Sequence, residues 1–89
     1  MSKPMAVDVI CMYDTEGEIR PLRLRLYDEQ SQGTRMDIQE ILGIERNGKF
    51  GSESITFVCR GVTEMKKQVL ELRYSVRNHS WHVLRLFGR

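Results

Sequence analysis

The chain has 89 residues, of which 40% are apolar and 29% are charged, and its formal net charge is +2. This balance is typical of one folded domain over residues 1–89, and the absence of a run of about 18 apolar residues excludes a helical membrane span. A chain this short also has no room for a large buried substrate cavity.

The first predicted element is a strand over residues 6–13, which are rich in β-branched and apolar side chains. Its alternate residues share one parity and are expected to face the core: Val7, Val9, Cys11 and Tyr13. The segment that follows, residues 14–18, collects turn-forming side chains. It predicts a hairpin that leads directly into a second strand.

The second strand carries the clearest pattern in the chain, the alternation Leu22-Arg23-Leu24-Arg25-Leu26. A period of two residues is typical of a half-buried strand, so we expect the leucines to face the core and the arginines to face solvent. Ile19 has the opposite parity to the leucines, and the mismatch falls at Pro21, which has no backbone donor. We therefore expect a bulge or a sheet edge at this point.

The region after the second strand fits two structures. Residues 28–34 are polar and predict a loop. The apolar residues that follow fit a helical stripe, which would give a short helix near residues 35–43. However, Met36 and Ile38 alternate, and Gly43 lies where a bent strand could shed a side chain. We favour a bulged strand over the helix.

Three further strands complete the prediction. The pair Asn47-Gly48 is a strong hairpin signal, and an alternating strand follows from Ile55 to Arg60. In the fifth strand one parity is apolar and is expected to be buried: Leu70, Leu72, Tyr74 and Val76. A tight turn at residues 78–80 precedes a closing strand that ends near Phe87. Six short strands predict an all-β fold, a six-stranded antiparallel barrel or coiled meander of SH3-like or OB-like type.

The sequence gives little support to catalysis or metal binding. Cys11 and Cys59 lie in apolar strands and are expected to be buried, reduced thiols. His79 and His82 do not form the close ligand pairs with them that structural zinc sites use. The segment from Gly43 to Lys49 has P-loop spacing, but Phe50 replaces the Ser or Thr that would hold magnesium. We predict no enzyme activity, no cofactor and no metal.

Charge is distributed unevenly along the chain. Residues 1–45 carry five positive and nine negative side chains, a net of −4, whereas residues 46–89 carry nine positive and three negative, a net of +6. Pairing of the two halves across strands is the favoured explanation, and an electropositive surface for a polyanion is the alternative. The candidate binding face would contain outward-facing basic residues and their neighbours: Arg23, Arg25, Arg60, Lys66, Lys67, Arg73, Arg77, His79 and Trp81.

Trp81 has two interpretations of its own. A lone tryptophan in a small domain belongs to the core more often than not, which we favour. Beside His79 and His82 it would instead form a platform on which a nucleic-acid base could stack.

Several apolar and turn positions together match a known pattern. They are Gly17-Glu-Ile19-Arg-Pro21, Ile38, Ile41-Leu42, Phe57-x-Cys59, Leu70-x-Leu72-x-Tyr74 and Trp81-x-Val83. This pattern resembles a group of small uncharacterised bacterial β-proteins, in which a hairpin precedes a Gly-x-Ile-x-Pro turn and the chain ends in a Trp-bearing strand. The resemblance implies a small barrel and brings no assigned activity.

These observations favour a small binding module without catalytic activity. An unpaired edge strand would engage a protein partner or a second copy of the chain, which would give a dimer. The alternative is a nucleic-acid-binding module that uses the basic strand face. Because Asp8 interrupts the first apolar stretch, the N-terminus is a poor match to a secretory signal, and we expect a cytoplasmic protein.

Overall fold

The computed structural model describes residues 4–27, 33–48, 53–64 and 66–87. Six antiparallel strands follow one another in chain order around a closed barrel. The strands are β1 (Met5–Tyr13), β2 (Ile19–Tyr27), β3 (Gly33–Asn47), β4 (Ser54–Val62), β5 (Lys67–Ser75) and β6 (Ser80–Phe87). The predicted all-β, six-stranded antiparallel barrel is confirmed, and no helix occurs in these described ranges.

β3 is the bulged strand that the sequence favoured over a short helix at residues 35–43. Its register against β4 slips twice, which leaves Gln39 and Leu42 as extra residues without a partner. Each bulge bends the strand and increases its twist. β3 can therefore pair with β2 through residues 33–37 and with β4 through residues 37–47. Gly33 and Thr34, predicted as loop, belong to this strand, whereas residues 28–32 lie outside the described residues.

β2 contains the bulge that its parity mismatch predicted. Ile10 of β1 pairs with Arg23, and the next residue, Cys11, pairs with Pro21, so Leu22 is the extra residue. The bulge puts Ile19 and Leu24 on the same inner face despite their opposite parities. Leu22 is 43% exposed. The prediction that it faces the core is therefore wrong, while Leu24 is buried as expected.

The barrel interior is filled by apolar side chains from all six strands. The buried residues are Val7, Ile19, Leu24, Met36, Ile55, Phe57, Cys59, Leu70, Leu72, Tyr74, Trp81 and Val83. Two residues predicted for the core lie outside it, since Tyr13 is 64% and Val76 is 37% exposed. Tyr13 is the last residue of β1, and Val76 lies in the turn after β5, so neither is enclosed by the barrel wall.

The connections at the two ends of the barrel follow the turn chemistry of the sequence. Asp14 Oδ1 accepts hydrogen bonds from the backbone N–H groups of Glu16 and Glu18, both at 2.9 Å. The hydrogen bond from the Glu18 N–H is the main cause that lowers the pKa of Asp14. The hydrogen bond from the Glu16 N–H and the nearby Arg20 guanidinium lower it further. Gly17 supplies the positive φ of 82° that this hairpin turn requires.

The other two predicted turns also connect antiparallel neighbours. Asn47 pairs with Ser54, which confirms a hairpin after β3, but Asn47 belongs to the strand and the loop spans residues 48–53, of which 49–52 lie outside the described residues. Ser75 pairs with Ser80, so the turn between β5 and β6 consists of residues 76–79 and is longer than predicted.

Candidate functional site

Three arginines on the outer surface are engaged by carboxylates of neighbouring strands. Arg23 Nε donates to Asp37 Oδ1 at 2.7 Å across β2 and β3. Arg60 forms an ion pair with Glu40, and Arg85 Nε lies 3.0 Å from Glu71 Oε1. Of these three, only the Arg60–Glu40 pair joins the acidic and basic halves, as the sequence favoured, and Arg46 with Glu18 makes a second such pair. These arginines offer little unbalanced charge to a polyanion.

The other basic residues of the predicted face lie on separate parts of the barrel. Arg25 lies opposite Arg35 on β2 and β3, whereas Arg73 lies opposite His82 on β5 and β6. Lys66 and Lys67 lie at the connection between β4 and β5, and Arg77 is in the exposed turn between β5 and β6. The structure therefore does not gather these side chains on one face.

Trp81 and His79 lie together at one end of the barrel, but only His79 is exposed. The indole of Trp81 is 7% exposed, and its ring centroid lies 4.8 Å from that of Tyr74 and 5.9 Å from that of Phe57. His79 Nδ1 lies at hydrogen-bond distance, 2.9 Å, from Tyr74 Oη. Trp81 is thus a core residue, the interpretation we favoured, and its ring packs against two other aromatic rings.

Neither cysteine forms a disulfide. Cys59 is fully buried, and burial raises the pKa of its thiol to about 12, which keeps it protonated and unreactive. Cys11, which was also expected to be buried, is only half-buried, so the prediction is correct for Cys59 alone. No cluster of three or more metal-ligating side chains exists among the residues that the structure describes.

The barrel closes through a short contact between its first and last strands. β1 pairs with β6 through Met5, Ala6 and Val7, which lie opposite Val83, His82 and Trp81. β6 begins at Ser80, one residue before Trp81, so it does not extend past Val7 along β1. β1 continues for six more residues that pair only with β2. Residues 8–13 therefore form an open edge, whose outward N–H and C=O groups have no strand partner in the described part of the chain.

A cleft of about 610 Å³ runs along this open edge. Its walls come from β1, the end of β5 and the start of β6, and they carry Val9, Cys11, Tyr13, Tyr74, His79 and Trp81. Burial, followed by the neighbouring Tyr13 hydroxyl, raises the pKa of Tyr74, so its phenol stays protonated at neutral pH. The cleft wall thus combines apolar and aromatic side chains with polar groups, and Asp8 and His82 also line it.

Exposed apolar side chains also lie on the outer face of the open edge, where Ile10 and Met12 have Arg23 and Arg20 of β2 as their cross-strand neighbours. Ile10 is 57% exposed, Met12 is 46% exposed, and the bulged Leu22 of β2 lies next to them in the register. Together with Tyr13 they place apolar surface on both sides of the exposed backbone. Exposed apolar surface of this kind marks a site of interaction with other molecules.

A second unpaired edge on the same barrel is protected in ways that the open edge is not. Residues 38–47 of β3 have no partner in β2, but this segment carries two bulges and charged side chains. Glu40 pairs with Arg60, and Arg46 pairs with Glu18 across the gap. Bulges and charges discourage the addition of another strand. Residues 9–13 of β1 contain no charged residue, so that protection is missing there.

Sequence reasoning did not place the open edge in the candidate binding face. A signal for it exists, since both parities of residues 9–13 are uncharged, whereas a half-buried strand facing solvent alternates with polar residues. Whether that strand has a neighbour on each side depends on where β6 begins, which no local pattern encodes.

Comparisons with protein-family models, curated proteins and solved structures found no match for this chain. The resemblance to a group of bacterial β-proteins therefore stays a prediction. Within the described ranges no helix is long and apolar enough to cross a membrane.

Proposed function

We propose that this chain is a protein-binding module that adds an extended, uncharged segment of another polypeptide to the open edge of β1. The observation that carries the proposal is the unpaired backbone of residues 8–13, flanked by exposed apolar side chains on its outer face and by a cleft with aromatic and apolar side chains on its inner face. Addition of a strand to a sheet edge is a recurrent mode of peptide recognition.

The barrel reduces the entropic cost of such binding. The open edge is already held in a strand conformation by its pairing with β2, so only the incoming segment has to be ordered. Each new backbone hydrogen bond contributes about 0.5–1.5 kcal/mol, and each Å² of apolar surface removed from water contributes about 25 cal/mol. Alternate side chains of the segment would enter the cleft and set its specificity.

The chemistry of the edge restricts what can bind there. Asp8 is the only charged residue of β1, and its carboxylate accepts a hydrogen bond from Tyr27 Oη at 2.7 Å. A segment with charged residues would lose solvation in the cleft without gaining an ion pair from residues 9–13. An uncharged, apolar segment fits best.

The nucleic-acid alternative has less support from the same structure. It requires converging basic side chains and an accessible aromatic ring. Arg23 and Arg60 are engaged by Asp37 and Glu40, and Trp81 is buried in the core. We therefore favour a protein partner.

Titration with a capped, uncharged peptide of alternating valine and threonine tests the proposal. We expect the amide resonances of residues 8–13 to shift, and those N–H groups that point away from β2 to become protected from hydrogen exchange, because they donate hydrogen bonds to the added strand. Perturbation confined to β3, or no binding of millimolar peptide by the chain in its monomeric state, would contradict the proposal.

Two variants test whether the peptide binds at the open edge or at exposed apolar surface in general. The double variant Ile10→Lys and Met12→Lys should weaken peptide binding at least about tenfold, since edge lysines oppose strand addition. Leu42→Lys makes the same type of change at the protected edge, where Leu42 is 43% exposed, and should leave binding unchanged.

A further inference from the structure

We propose that the segment which occupies the open edge is β1 of a second copy of this chain, antiparallel to the first, with Cys11 on the two-fold axis. This inference rests on the proposed function, because it names the partner of the same edge. It predicts a symmetric dimer in which the β1 strands of two barrels pair directly. Such an interface is isologous, so each copy supplies the same residues.

The distribution of charge along β1 supports pairing with a second copy about Cys11. The uncharged block of residues 9–13 is bounded by Asp8 on one side and Asp14 on the other, and Cys11 is its central residue. A two-fold axis at Cys11 places Ile10 opposite Met12 of the second copy and Val9 opposite Tyr13 of the second copy. Every pair within the block is then uncharged.

The same register covers the most exposed apolar side chains of this region. Ile10 and Met12 are 57% and 46% exposed, and both lie on the outer face of β1. Residues directly opposite each other in an antiparallel pair lie on the same face and contact each other. Tyr13, which is 64% exposed, gains Val9 of the second copy as a neighbour.

The neighbouring registers are less suitable. An axis at Ile10 would place the Asp8 carboxylate opposite the apolar Met12, and an axis at Met12 would place Asp14 opposite Ile10. With the axis at Cys11, Asp8 of each copy lies opposite Asp14 of the other copy at the ends of the block, where Arg25 is the cross-strand neighbour of Asp8 and reduces the repulsion between the carboxylates. The charge of Asp14 is offset there by Arg20, whose Nε lies 3.5 Å from Asp14 Oδ2.

Symmetry also limits the size of the assembly. Pairing of the two β1 strands consumes the open edge of both copies, so a third copy has no equivalent edge to join. The protected edge at residues 38–47 of β3 keeps its bulges and charges. The association therefore closes at a dimer and does not continue as a fibre.

Light scattering of the reduced chain tests the second copy as the partner. We expect a mass of twice 10.5 kDa. The Ile10→Lys and Met12→Lys double variant should have the mass of one chain, and Leu42→Lys should remain dimeric. A monomer that still binds the valine–threonine peptide would overturn the second copy as the partner and leave the proposed function standing. A monomer that binds no peptide would overturn both.

Cysteine cross-linking tests the register. We would prepare Ile10→Cys and Met12→Cys separately, each in a Cys11→Ser background, and oxidise them alone and mixed. The mixed sample should form a disulfide-linked dimer, because these positions lie directly opposite each other in the proposed register. Cys59 is fully buried and should not react. Residues in diagonal positions are too far apart for a disulfide, so neither variant should cross-link alone.

Efficient cross-linking of Ile10→Cys alone would place Ile10 on the axis and overturn the register with Cys11 at its centre. A circular dichroism spectrum like that of the natural chain establishes that each variant is folded, as expected for substitutions at exposed positions.

Discussion

Met36 of β3 lies directly over the backbone of Gly61 in β4. A Cβ atom added at Gly61 would lie 2.7 Å from Met36 Cγ and 3.2 Å from Leu70 Cδ2. Met36 and Leu70 are both fully buried, so neither side chain has free space into which it can move. The absence of a side chain at Gly61 is thus what allows Met36 to fill the barrel interior.

Gly61→Ala should destabilise the barrel by about 1–3 kcal/mol, because the added methyl group overpacks a dense core. Gly43→Ala is the matched control on the adjacent strand, since a Cβ atom at Gly43 would have no neighbour within 4 Å. The control should change the free energy of unfolding by less than about 0.5 kcal/mol. Urea denaturation measures both variants, and equal losses would contradict the packing at Gly61.

Substitution of Trp81 by alanine should reduce the free energy of unfolding far more than substitution of Tyr13 by alanine. Trp81 is buried between Tyr74 and Phe57, so Trp81→Ala should cost about 3–5 kcal/mol. Tyr13 is 64% exposed, and Tyr13→Ala should cost no more than about 0.5 kcal/mol. Thermal unfolding followed by circular dichroism compares them. A large loss for Tyr13→Ala would show that Tyr13 belongs to the core.

Stability should fall at alkaline pH because of Cys59. Its folded-state pKa of about 12 lies above the ordinary value of 9.0, so the unfolded chain releases the thiol proton first. The contribution of the neutral thiol is complete below about pH 9 and is lost as the pH rises toward 12, with a slope of at most about 1.4 kcal/mol per pH unit. Urea unfolding between pH 8 and about pH 10.5 measures this slope.

Cys59→Ala is the control for this pH dependence. The variant will be less stable at every pH, because it leaves a cavity, but its stability should fall less steeply above pH 9. Tyr74, whose pKa burial also raises, contributes to the slope in both proteins. Identical slopes in the two proteins would contradict the assignment to Cys59.

A fluorescent oligothymidine strand tests the nucleic-acid alternative. We expect no more than weak binding at low salt, since Arg23 and Arg60 are already engaged by carboxylates. The double variant Arg23→Glu and Arg73→Glu should therefore bind as the natural chain does. Tight binding that weakens steeply with salt and disappears in this variant would contradict our choice of a protein partner.

Much of the fold was predictable because strand patterns are local. The alternation of Leu24 and Leu26 with their arginine neighbours identifies β2, and the turn residues near Asp14 and Gly17 identify the first hairpin. Local patterns also predicted the bulge in β2, since Ile19 and Leu24 are both apolar but differ in parity. They did not identify Leu22 as the extra residue, because its position depends on pairing with Ile10 and Cys11 of β1.

The candidate site depended on relationships that span the chain. Arg23 and Asp37 are 14 positions apart, and their ion pair requires the register between β2 and β3. The exposure of Tyr13 requires that β6 begin at Ser80, which leaves the end of β1 paired with β2 on one side and without a strand on the other. Basic residues that alternation predicted to face outward consequently lie on different strands of a closed barrel.

The sequence by itself determined the all-β class, the number of strands and most of the core, because side-chain alternation and turn chemistry act over a few neighbouring residues. Only the tertiary structure decided which strand edge is left open and which charges are neutralised. Both depend on contacts between segments far apart in the chain, such as Val7 with Trp81 and Arg60 with Glu40. Those contacts are fixed when the barrel closes.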